Sequence, residues 1–370
     1  MADPEPISPP AHYDRLAELI ATFPLRDRRL AEQMVQSMVE LFGQHPATID
    51  LKITSAAIAE MSDAFAMFAP YRERPKVTIF GSARTLPDDP LYVQARDVAD
   101  VLAGMGWMVI TGAGPGIMHA AMEGAGRENS IGVSIKLPFE QGANPIIAGD
   151  SKYVSMKYFF TRKLMLIKES RGFVCLPGGF GTLDETFELL TLTQTGKGAP
   201  VPIVLLDTPG DPYWETVHDF VGRQLVQRGL VSEADTGLYL VTEDCQVAAD
   251  EITRFYANYD SLRYVGDLLA IRVRHEPTDE QIELLNERFG HLCRRGVISR
   301  SAPLDPERKD ADRLDLYRIT FAFAKHGYGE LRAMIDTLNG FVPAEEVEPP
   351  VEAPVSAASL PTVEPSTRST

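Results

Sequence analysis

A glycine-rich turn that carries a carboxylate is the stretch of this sequence best suited to chemistry. The turn reads PGGFGTLDE over residues 177–185. It follows an apolar run at 172–176, typical of a short buried parallel strand, and leads into a pattern with helical spacing from Thr186. A strand that ends in glycines and continues as a helix brings several backbone N–H groups to one point, where the helix dipole adds positive potential. The turn therefore predicts a cradle for a phosphate group.

The complete string is more specific than its glycines. A bare Gly-Gly-x-Gly turn also fits an ordinary strand-to-helix connection, and the helix dipole alone would favour an acid such as Glu185 in the first turn. The string nevertheless resembles the PGGxGTxxE signature of the LOG-type ("lonely guy") cytokinin-activating phosphoribohydrolases, a family often mislabelled as lysine decarboxylases. Every fixed position of that signature is present, as Pro177, Gly178, Gly179, Gly181, Thr182 and Glu185.

Two further glycine turns extend the resemblance. Residues 81–83 and 112–116 follow predicted strands and resemble the other nucleotide-contacting turns of the family, in the form used by its longer members. The resemblance covers roughly residues 75–255. It implies that the nucleotide and its phosphate contact residues of all three turns, which are Gly81, Ser82, Gly114, Gly116, Gly178, Gly179, Gly181 and Thr182.

The second turn also invites a dinucleotide-binding interpretation, and the sequence argues against it. In the G-x-G-x-x-G pattern the third glycine would fall at position 117, which is Ile117. The acidic ribose ligand expected ~20 residues later is also missing, because the next strand ends as SIKL at 134–137. NAD or FAD binding is therefore not expected. Met118 and His119 are predicted to be core residues that pack near this turn.

A basic pair precedes the signature. A predicted helix at 158–167 carries Arg162 and Lys163, and members of the family have an Arg-Lys pair here. One helix end, one strand and one loop separate Arg162 from Glu185, so a side chain on this helix can lean over the carboxyl end of the strand. A solvated basic face would be the alternative. The resemblance implies that Arg162 acts with Glu185 and that Lys163 contacts the nucleotide.

The resemblance implies hydrolysis of the N-glycosidic bond of a nucleoside 5′-monophosphate, either AMP or a cytokinin riboside monophosphate, to free base and ribose 5-phosphate. This reaction passes through an oxocarbenium-like ribosyl cation, so it needs a carboxylate near the anomeric carbon to stabilise charge and to orient or deprotonate water. Glu185 can supply both functions, and Arg162 can order that carboxylate and keep it ionised. Glu188 is either a ribose contact or a solvated acid. The base preference stays open, and neither a cofactor nor a metal site is predicted.

Two other functions fit parts of the sequence. A pyridoxal-phosphate lysine decarboxylase would need a Schiff-base lysine, and the lysines near the cradle, Lys163 and Lys168, lack a Ser-x-His-Lys-like context. A nucleotide-sensing or scaffold protein without turnover would explain the segments outside the region of resemblance, which a minimal phosphoribohydrolase does not need. The presence of Arg162 and Glu185 argues against it, because a pure binder needs no carboxylate beside a phosphate.

Composition and charge limit the class of protein and its partners. The 370 residues suffice for two or three domains of ~100–200 residues each. A net charge of −16, from 36 basic and 52 acidic residues, argues against nucleic acid as a partner. No apolar run approaches a membrane span of ~20 residues and the start lacks a signal peptide, so a cytoplasmic protein without a membrane segment is expected. The scattered cysteines suit a reducing compartment and offer no disulfide framework or zinc site; they are Cys175, Cys245 and Cys293.

The hydrophobic periodicities predict an α/β fold. A doubly wound parallel, Rossmann-like sheet at 71–258 follows a helical segment at 11–70 and precedes a small α+β unit at 259–340. Residues 1–10 and 341–370 are predicted to be loose and disordered. The apolar helices at 11–70, together with the resemblance, predict a homo-oligomer, a dimer or larger. The predicted strands are 77–80, 108–111, 131–135, 172–176, 203–206, 268–273, 297–299 and 316–323, and the predicted helices 92–102, 117–124, 158–167, 279–292 and 329–338.

Overall fold

The computed structural model of the chain describes residues 18–25, 27–137 and 142–342. The loose N-terminus predicted at 1–10 and nearly all of the predicted C-terminal tail lie outside the described residues. The chain divides into two compact units, Met1–Ser62 and Asp63–Thr370. The domain boundaries inferred from the sequence remain predictions.

The first unit is helical in its described part. Helix α1 (Arg28–Gly43) and helix α2 (Thr48–Phe68), which begins in this unit, fall within the helical segment predicted at 11–70. Asp27 caps α1, because its Oδ1 accepts a hydrogen bond of 3.0 Å from the Leu30 N–H. One side of α1 presents an apolar stripe that is exposed within this chain, formed by Leu30, Met34, Met38 and Phe42.

A seven-stranded parallel sheet organises the second unit. Its order is β4-β3-β2-β1-β5-β6-β7, and all neighbouring strands pair in parallel. All five strands predicted for this sheet are present, and helices flank it, which confirms the predicted fold class. The strands are β1 (Lys76–Phe80), β2 (Met108–Thr111), β3 (Ser130–Ile135), β4 (Tyr153–Met156), β5 (Gly172–Cys175), β6 (Ile203–Leu206) and β7 (Leu240–Thr242).

The order of the strands places a topological switch point between β1 and β5. From β1 the sheet grows through β2 to β4 on one side and through β5 to β7 on the other. Doubly wound sheets bind their ligands at the carboxyl ends of the strands beside such a point. The connecting helices are α3 (Pro90–Gly104), α4 (Ile117–Asn129), α5 (Phe159–Lys168), α6 (Phe180–Gln194), α7 (Tyr213–Phe220) and α8 (Cys245–Arg254).

The C-terminal part of the second unit is a four-stranded antiparallel sheet with the order β10-β11-β9-β8. The predicted strands and helices are present here, whereas β8 was not predicted. This sheet shares one hydrophobic core with the parallel sheet, since Val174 and Ile271 belong to the same buried cluster. The elements are β8 (Tyr259–Val265), β9 (Leu268–Val273), α9 (Asp279–Phe289), β10 (Cys293–Arg300), α10 (Asp305–Asp310), β11 (Tyr317–Phe323) and α11 (Tyr328–Asn339).

A buried carboxylate joins α10 to this sheet. Arg272 and Arg318 are paired residues on β9 and β11, and both are fully buried. Glu307 accepts hydrogen bonds from both, at 2.9 and 2.8 Å from Arg272 and at 3.1 Å from Arg318. Burial alone would raise the pKa of Glu307, but the Leu304 N–H and the two guanidinium groups outweigh it, so the pKa lies below its usual value.

We expect Glu307→Ala to lower the free energy of unfolding by about 3–5 kcal/mol, because it removes the buried carboxylate that both arginines share and leaves Asp312 as the remaining acidic partner of Arg272. The contribution of Glu307 should be complete above its unfolded pKa of about 4.3, since the unfolded state binds the proton more tightly. It should be lost as the pH falls through the lowered pKa of the folded state. Urea denaturation over a pH series measures both effects.

Asp305→Ala is the matched control for Glu307→Ala. Asp305 lies on the same short helix and pairs with Arg308 at 2.7 Å, but its side chain is 93% exposed. Exposed pairs of this kind contribute little to stability. Equal stabilities for the two variants would contradict a structural role for the buried network.

Candidate functional site

Three glycine turns meet at the switch point, and Ser82 connects them. The Ser82 N–H donates to the Pro177 carbonyl at 3.3 Å, which joins the turn after β1 to the turn after β5. The Ser82 carbonyl in turn accepts from the Ile117 N–H at 3.0 Å, where α4 begins. A Cβ at Gly116 would overlap this Ser82 carbonyl, and Gly116 has a φ of +66°, so only glycine allows the close contact.

The turn after β5 is open on the side where α6 begins. Gly179 is the N-cap of α6, and no side chain caps this helix end. A Cβ added at Gly179 or at Gly181 would meet no atom within 4 Å, and both residues are exposed. Gly178 instead packs against the buried Thr182 side chain. Uncapped N–H groups at an open helix N-terminus form the kind of cradle in which phosphate groups bind.

Arg162 and Glu185 form an ion pair beside this cradle. The Arg162 Nη1 lies 2.9 Å from the Glu185 Oε1, and the side chains are only 9% and 13% exposed. The Arg162 Nε also donates to the Val133 carbonyl at 3.0 Å. The guanidinium therefore crosses the carboxyl edge of the sheet, from β3 to the second turn of α6, whereas the sequence predicted Glu185 in the first turn.

Gly112 makes room for this crossing. A Cβ at Gly112 would overlap the Arg162 Nη2 and lie 2.6 Å from the Met118 Sδ. The Met118 thioether also covers Gly114, so these two glycines are needed by side chains of the protein itself. Met118 packs on the second turn as predicted, but both Met118 and His119 are half-buried rather than core residues.

Burial dominates the electrostatics of Glu185. It raises the pKa of Glu185 above its usual value, although the charge of Arg162 and its hydrogen bond act in the opposite direction. Arg162 therefore offsets the effect of burial only in part. Below this carboxylate, burial raises the pKa of the Cys175 thiol to about 12, so that thiol stays neutral and is not a nucleophile at neutral pH.

Lys163 is paired with two acids of α6. Its Nζ lies 2.6 Å from Asp184 and 2.7 Å from Glu188. Burial alone would lower the pKa of Lys163, but the two carboxylates outweigh it and raise the pKa. An open groove of about 510 Å³ lies here, and Glu188 faces Lys163 in it. The groove is lined by Lys163, Leu183, Asp184, Phe187, Glu188 and Thr191.

These contacts do not fit a pyridoxal-phosphate site. A Schiff-base lysine needs a lowered pKa so that its amine is neutral. Lys163 is held as a cation by two carboxylates, and Lys168 pairs with Glu169. Neither lysine has the environment that a decarboxylase of this type requires. Within residues 18–25, 27–137 and 142–342, moreover, no group of three or more His, Cys, Asp or Glu side chains is placed to hold a metal ion.

The structure thus brings together most of the residues predicted for the site, while their roles remain predictions. Ser82, Gly178, Gly179, Thr182, Arg162 and Glu185 surround the open end of α6, whereas Lys163 and Glu188 bond to each other. Sequence reasoning missed Asp184, which pairs with Lys163. It also missed Asn144, whose Nδ2 donates to the Gly114 carbonyl at 3.2 Å. No local pattern marks either residue.

Comparisons with known proteins confirm the resemblance to the LOG-type family. The family described as "Possible lysine decarboxylase" matches residues 116–252. A probable cytokinin riboside 5′-monophosphate phosphoribohydrolase of Oryza sativa subsp. japonica is 28% identical over 170 residues, 45% of this chain and 77% of that protein. The enzyme of that name from Mycobacterium tuberculosis (strain ATCC 25618 / H37Rv) is 31% identical over 31% of this chain and 62% of its own length.

Other matches are similarly partial. A probable phosphoribohydrolase of the same name from Arabidopsis thaliana is 33% identical, over 31% of this chain and 54% of that protein. Among solved structures, the molybdenum cofactor carrier protein of Chlamydomonas reinhardtii is 21% identical, with a TM-score of 0.33 over 47% of this chain and 92% of that one.

Among the described residues, none of the helices combines the length and the apolar composition that a membrane span requires.

We expect Gly112→Ala to displace the Arg162 guanidinium or the Met118 thioether, because the added methyl group overlaps both. Overpacking of this kind costs about 1–3 kcal/mol of stability. Urea denaturation measures that cost, and a crystal structure of the variant shows whether the Arg162–Glu185 pair survives. Gly181→Ala is the control, since its methyl group would meet nothing within 4 Å. Wild-type stability and an unchanged ion pair in Gly112→Ala would contradict this account of the second turn.

Proposed function

We propose that this chain, which resembles the LOG-type phosphoribohydrolases in its signature and over part of its length, hydrolyses the N-glycosidic bond of a nucleoside 5′-monophosphate. The products are the free base and ribose 5-phosphate. AMP and the cytokinin riboside monophosphates are the substrates we infer, the latter from the names of its relatives. A cytoplasmic location is part of the same proposal and depends only on the sequence.

The observation that carries this proposal is the position of Glu185. Its carboxylate lies in the second turn of the helix whose N-terminus forms the open cradle, and it is paired with Arg162 at 2.9 Å. An anion in the cradle would therefore lie at the N-terminal end of the same helix that carries this buried carboxylate. A protein that only bound phosphate would gain nothing from a negative group there, because like charges repel.

The cradle anchors the substrate through a group that does not react. The N–H groups at the start of α6 hold the 5′-phosphate, and this remote binding energy positions the ribose against Glu185. Thr182, buried beneath Gly178, keeps the turn in shape. Fixing the sugar in this way removes most of the entropic cost of bringing the anomeric carbon, the acid and water together.

The reaction then needs one carboxylate and one water molecule. As the bond from C1′ to the base nitrogen breaks, its electron pair leaves with the base, and positive charge develops on the ribosyl ring. Glu185 stabilises that charge and accepts a proton from the water whose oxygen bonds to C1′. The base nitrogen takes up a proton, so the products are free base and ribose 5-phosphate. Arg162 orients the carboxylate throughout and acts against its protonation.

We expect Glu185→Gln to lower kcat for base release from AMP by about 100-fold or more, because the amide can neither accept the proton nor stabilise the cation.

Arg162→Ala should also lower kcat, and the activity that remains should need a higher pH. Without the guanidinium, burial raises the pKa of Glu185 further, and the ionised form is the active one. Free adenine is quantified by chromatography over a pH series.

Glu169→Gln is the matched control for these two variants. Glu169 is another buried carboxylate of the same unit, paired with Lys168 at the end of α5, away from the cradle. It should leave turnover nearly unchanged. Wild-type turnover in Glu185→Gln would refute the mechanism, and AMP binding without any base release by the wild-type chain would favour the scaffold alternative.

We also propose that the protein forms a homo-oligomer of two or more copies. On the surface beside the cradle, three side chains of α5 are 55%, 53% and 42% exposed: Phe159, Phe160 and Leu164. Phe180, at the start of α6, is 92% exposed. Exposed large apolar side chains concentrated on one helix are typical of interaction surfaces. A second copy of the chain is the partner that the resemblance implies.

We expect light scattering to give the mass of a dimer or a larger assembly for the wild-type chain. Phe160→Asp should shift the mass toward that of a monomer, because a charge in an apolar interface is costly to bury. Leu230→Asp is the control, since Leu230 is 60% exposed and lies elsewhere on the unit. A monomeric wild-type chain at micromolar concentration would overturn the proposal.

A further inference from the structure

A tyrosine outside the signature holds the peptide group between its first two glycines. The Tyr213 hydroxyl, at the start of α7, donates to the Gly178 carbonyl at 2.7 Å. That carbonyl belongs to the same planar peptide group as the Gly179 N–H. In a trans peptide the two bonds point in opposite directions, so a group that fixes the carbonyl also fixes the direction of the N–H.

This peptide group needs such a support. Two adjacent glycines have the widest choice of backbone conformations, and a Gly-Gly peptide group rotates unless something holds it. Thr182 and Ser82 pack against the Cα of Gly178, and the Gly178 carbonyl accepts its hydrogen bond from the Tyr213 hydroxyl. Gly179 itself lies in open space, where no side chain restrains it.

Tyr213 is itself firmly placed. Asp207, which directly follows β6, is 1% exposed, and its Oδ2 accepts from the Trp214 N–H at 2.8 Å. Asp211 accepts from the Tyr213 N–H at 3.1 Å. The Trp214 ring is fully buried and packs edge-on against the Tyr213 ring, with 4.9 Å between centroids. The hydroxyl is thus tied to the sheet through strand β6, the neighbour of β5.

We propose that Tyr213 is a positioning residue that aims the Gly179 N–H at the phosphate of the substrate. The inference rests on the proposed function, because it names the residue that prepares the cradle of that same site. Tyr213 contacts the backbone on the far side of the peptide group and not the ligand. Its effect is therefore on phosphate affinity and leaves the chemistry at C1′ largely unchanged.

The test compares Tyr213→Phe with the wild-type chain. Loss of one hydrogen bond of this type changes an equilibrium by about three- to tenfold. We expect KM for AMP and the dissociation constant of ribose 5-phosphate to rise by about this factor, with a smaller change in kcat. The slow hydrolysis of adenosine, which has no phosphate, should be unaffected. A merely structural role for Tyr213 would lower the rates with AMP and adenosine alike.

Tyr239→Phe is the matched control. The Tyr239 hydroxyl lies 2.9 Å from the Nδ1 of His218, which belongs to α7 like Tyr213, so this variant removes a tyrosine hydroxyl beside the same helix and leaves the bond to Gly178 in place. This variant should keep the wild-type affinity for ribose 5-phosphate. An unchanged affinity in Tyr213→Phe, or an equal loss in Tyr239→Phe, would overturn the positioning role.

Calorimetric titration with ribose 5-phosphate separates this inference from the proposed function. If the wild-type chain binds ribose 5-phosphate but releases no base from AMP, the hydrolase fails. Weaker binding by Tyr213→Phe would then still support the positioning role. If the wild-type chain does not bind ribose 5-phosphate, both proposals fail. Asp207→Asn, which keeps an oxygen for the Trp214 N–H, should bind like the wild type, and a large loss of affinity there would contradict the proposed anchoring.

Discussion

The burial of the Arg162–Glu185 pair is the constraint on which the rest of the site depends. A carboxylate taken out of water is costly unless a cation compensates it, and here the cation reaches across the edge of the sheet to do so. The position of the Arg162 guanidinium constrains several neighbouring parts of the structure. Position 112 can carry no side chain, the Val133 carbonyl must face the guanidinium, and α5 must begin beside β3. The same burial raises the pKa of Glu185, and the chemistry inferred for this carboxylate depends on that burial.

The sequence predicts those parts of the fold that are determined locally. Strands such as β5 and β6 are buried on both faces and therefore read as unbroken apolar runs, and the glycine turn after β5 has its own signature. Strand β8 was missed because Asp260 and Arg263 interrupt the apolar pattern. In the structure these residues meet charged partners, such as Arg313 at 3.0 Å from Asp260, that are far away in sequence. Strand β7 has only three residues, too few for a periodicity.

In the candidate site, too, the features that are encoded locally were predicted, whereas contacts between residues far apart in sequence were not. Arg162 and Glu185 were predicted as partners because the signature around Glu185 gave meaning to an Arg-Lys pair that alone would fit a solvated face, and the pair is present. The bond from Tyr213 to Gly178 spans 35 positions and leaves no local trace, because a tyrosine after a proline fits many helix starts. Lys163 was assigned to the nucleotide and Glu188 either to the ribose or to solvent, and in the structure the two side chains pair with each other across two helices. Side-chain partners on separate helices are set by packing, which periodicity does not encode.

The two tryptophans of the chain give the molecule a built-in optical signal. Both Trp107 and Trp214 are fully buried, in an environment from which water is excluded. Their emission should consequently be blue-shifted in the native state, and Trp214 directly follows Tyr213, whose hydroxyl bonds to the Gly178 carbonyl. Loosening of helix α7 would expose this indole, so intrinsic fluorescence follows the packing of α7 beside the turn after β5 without any added label.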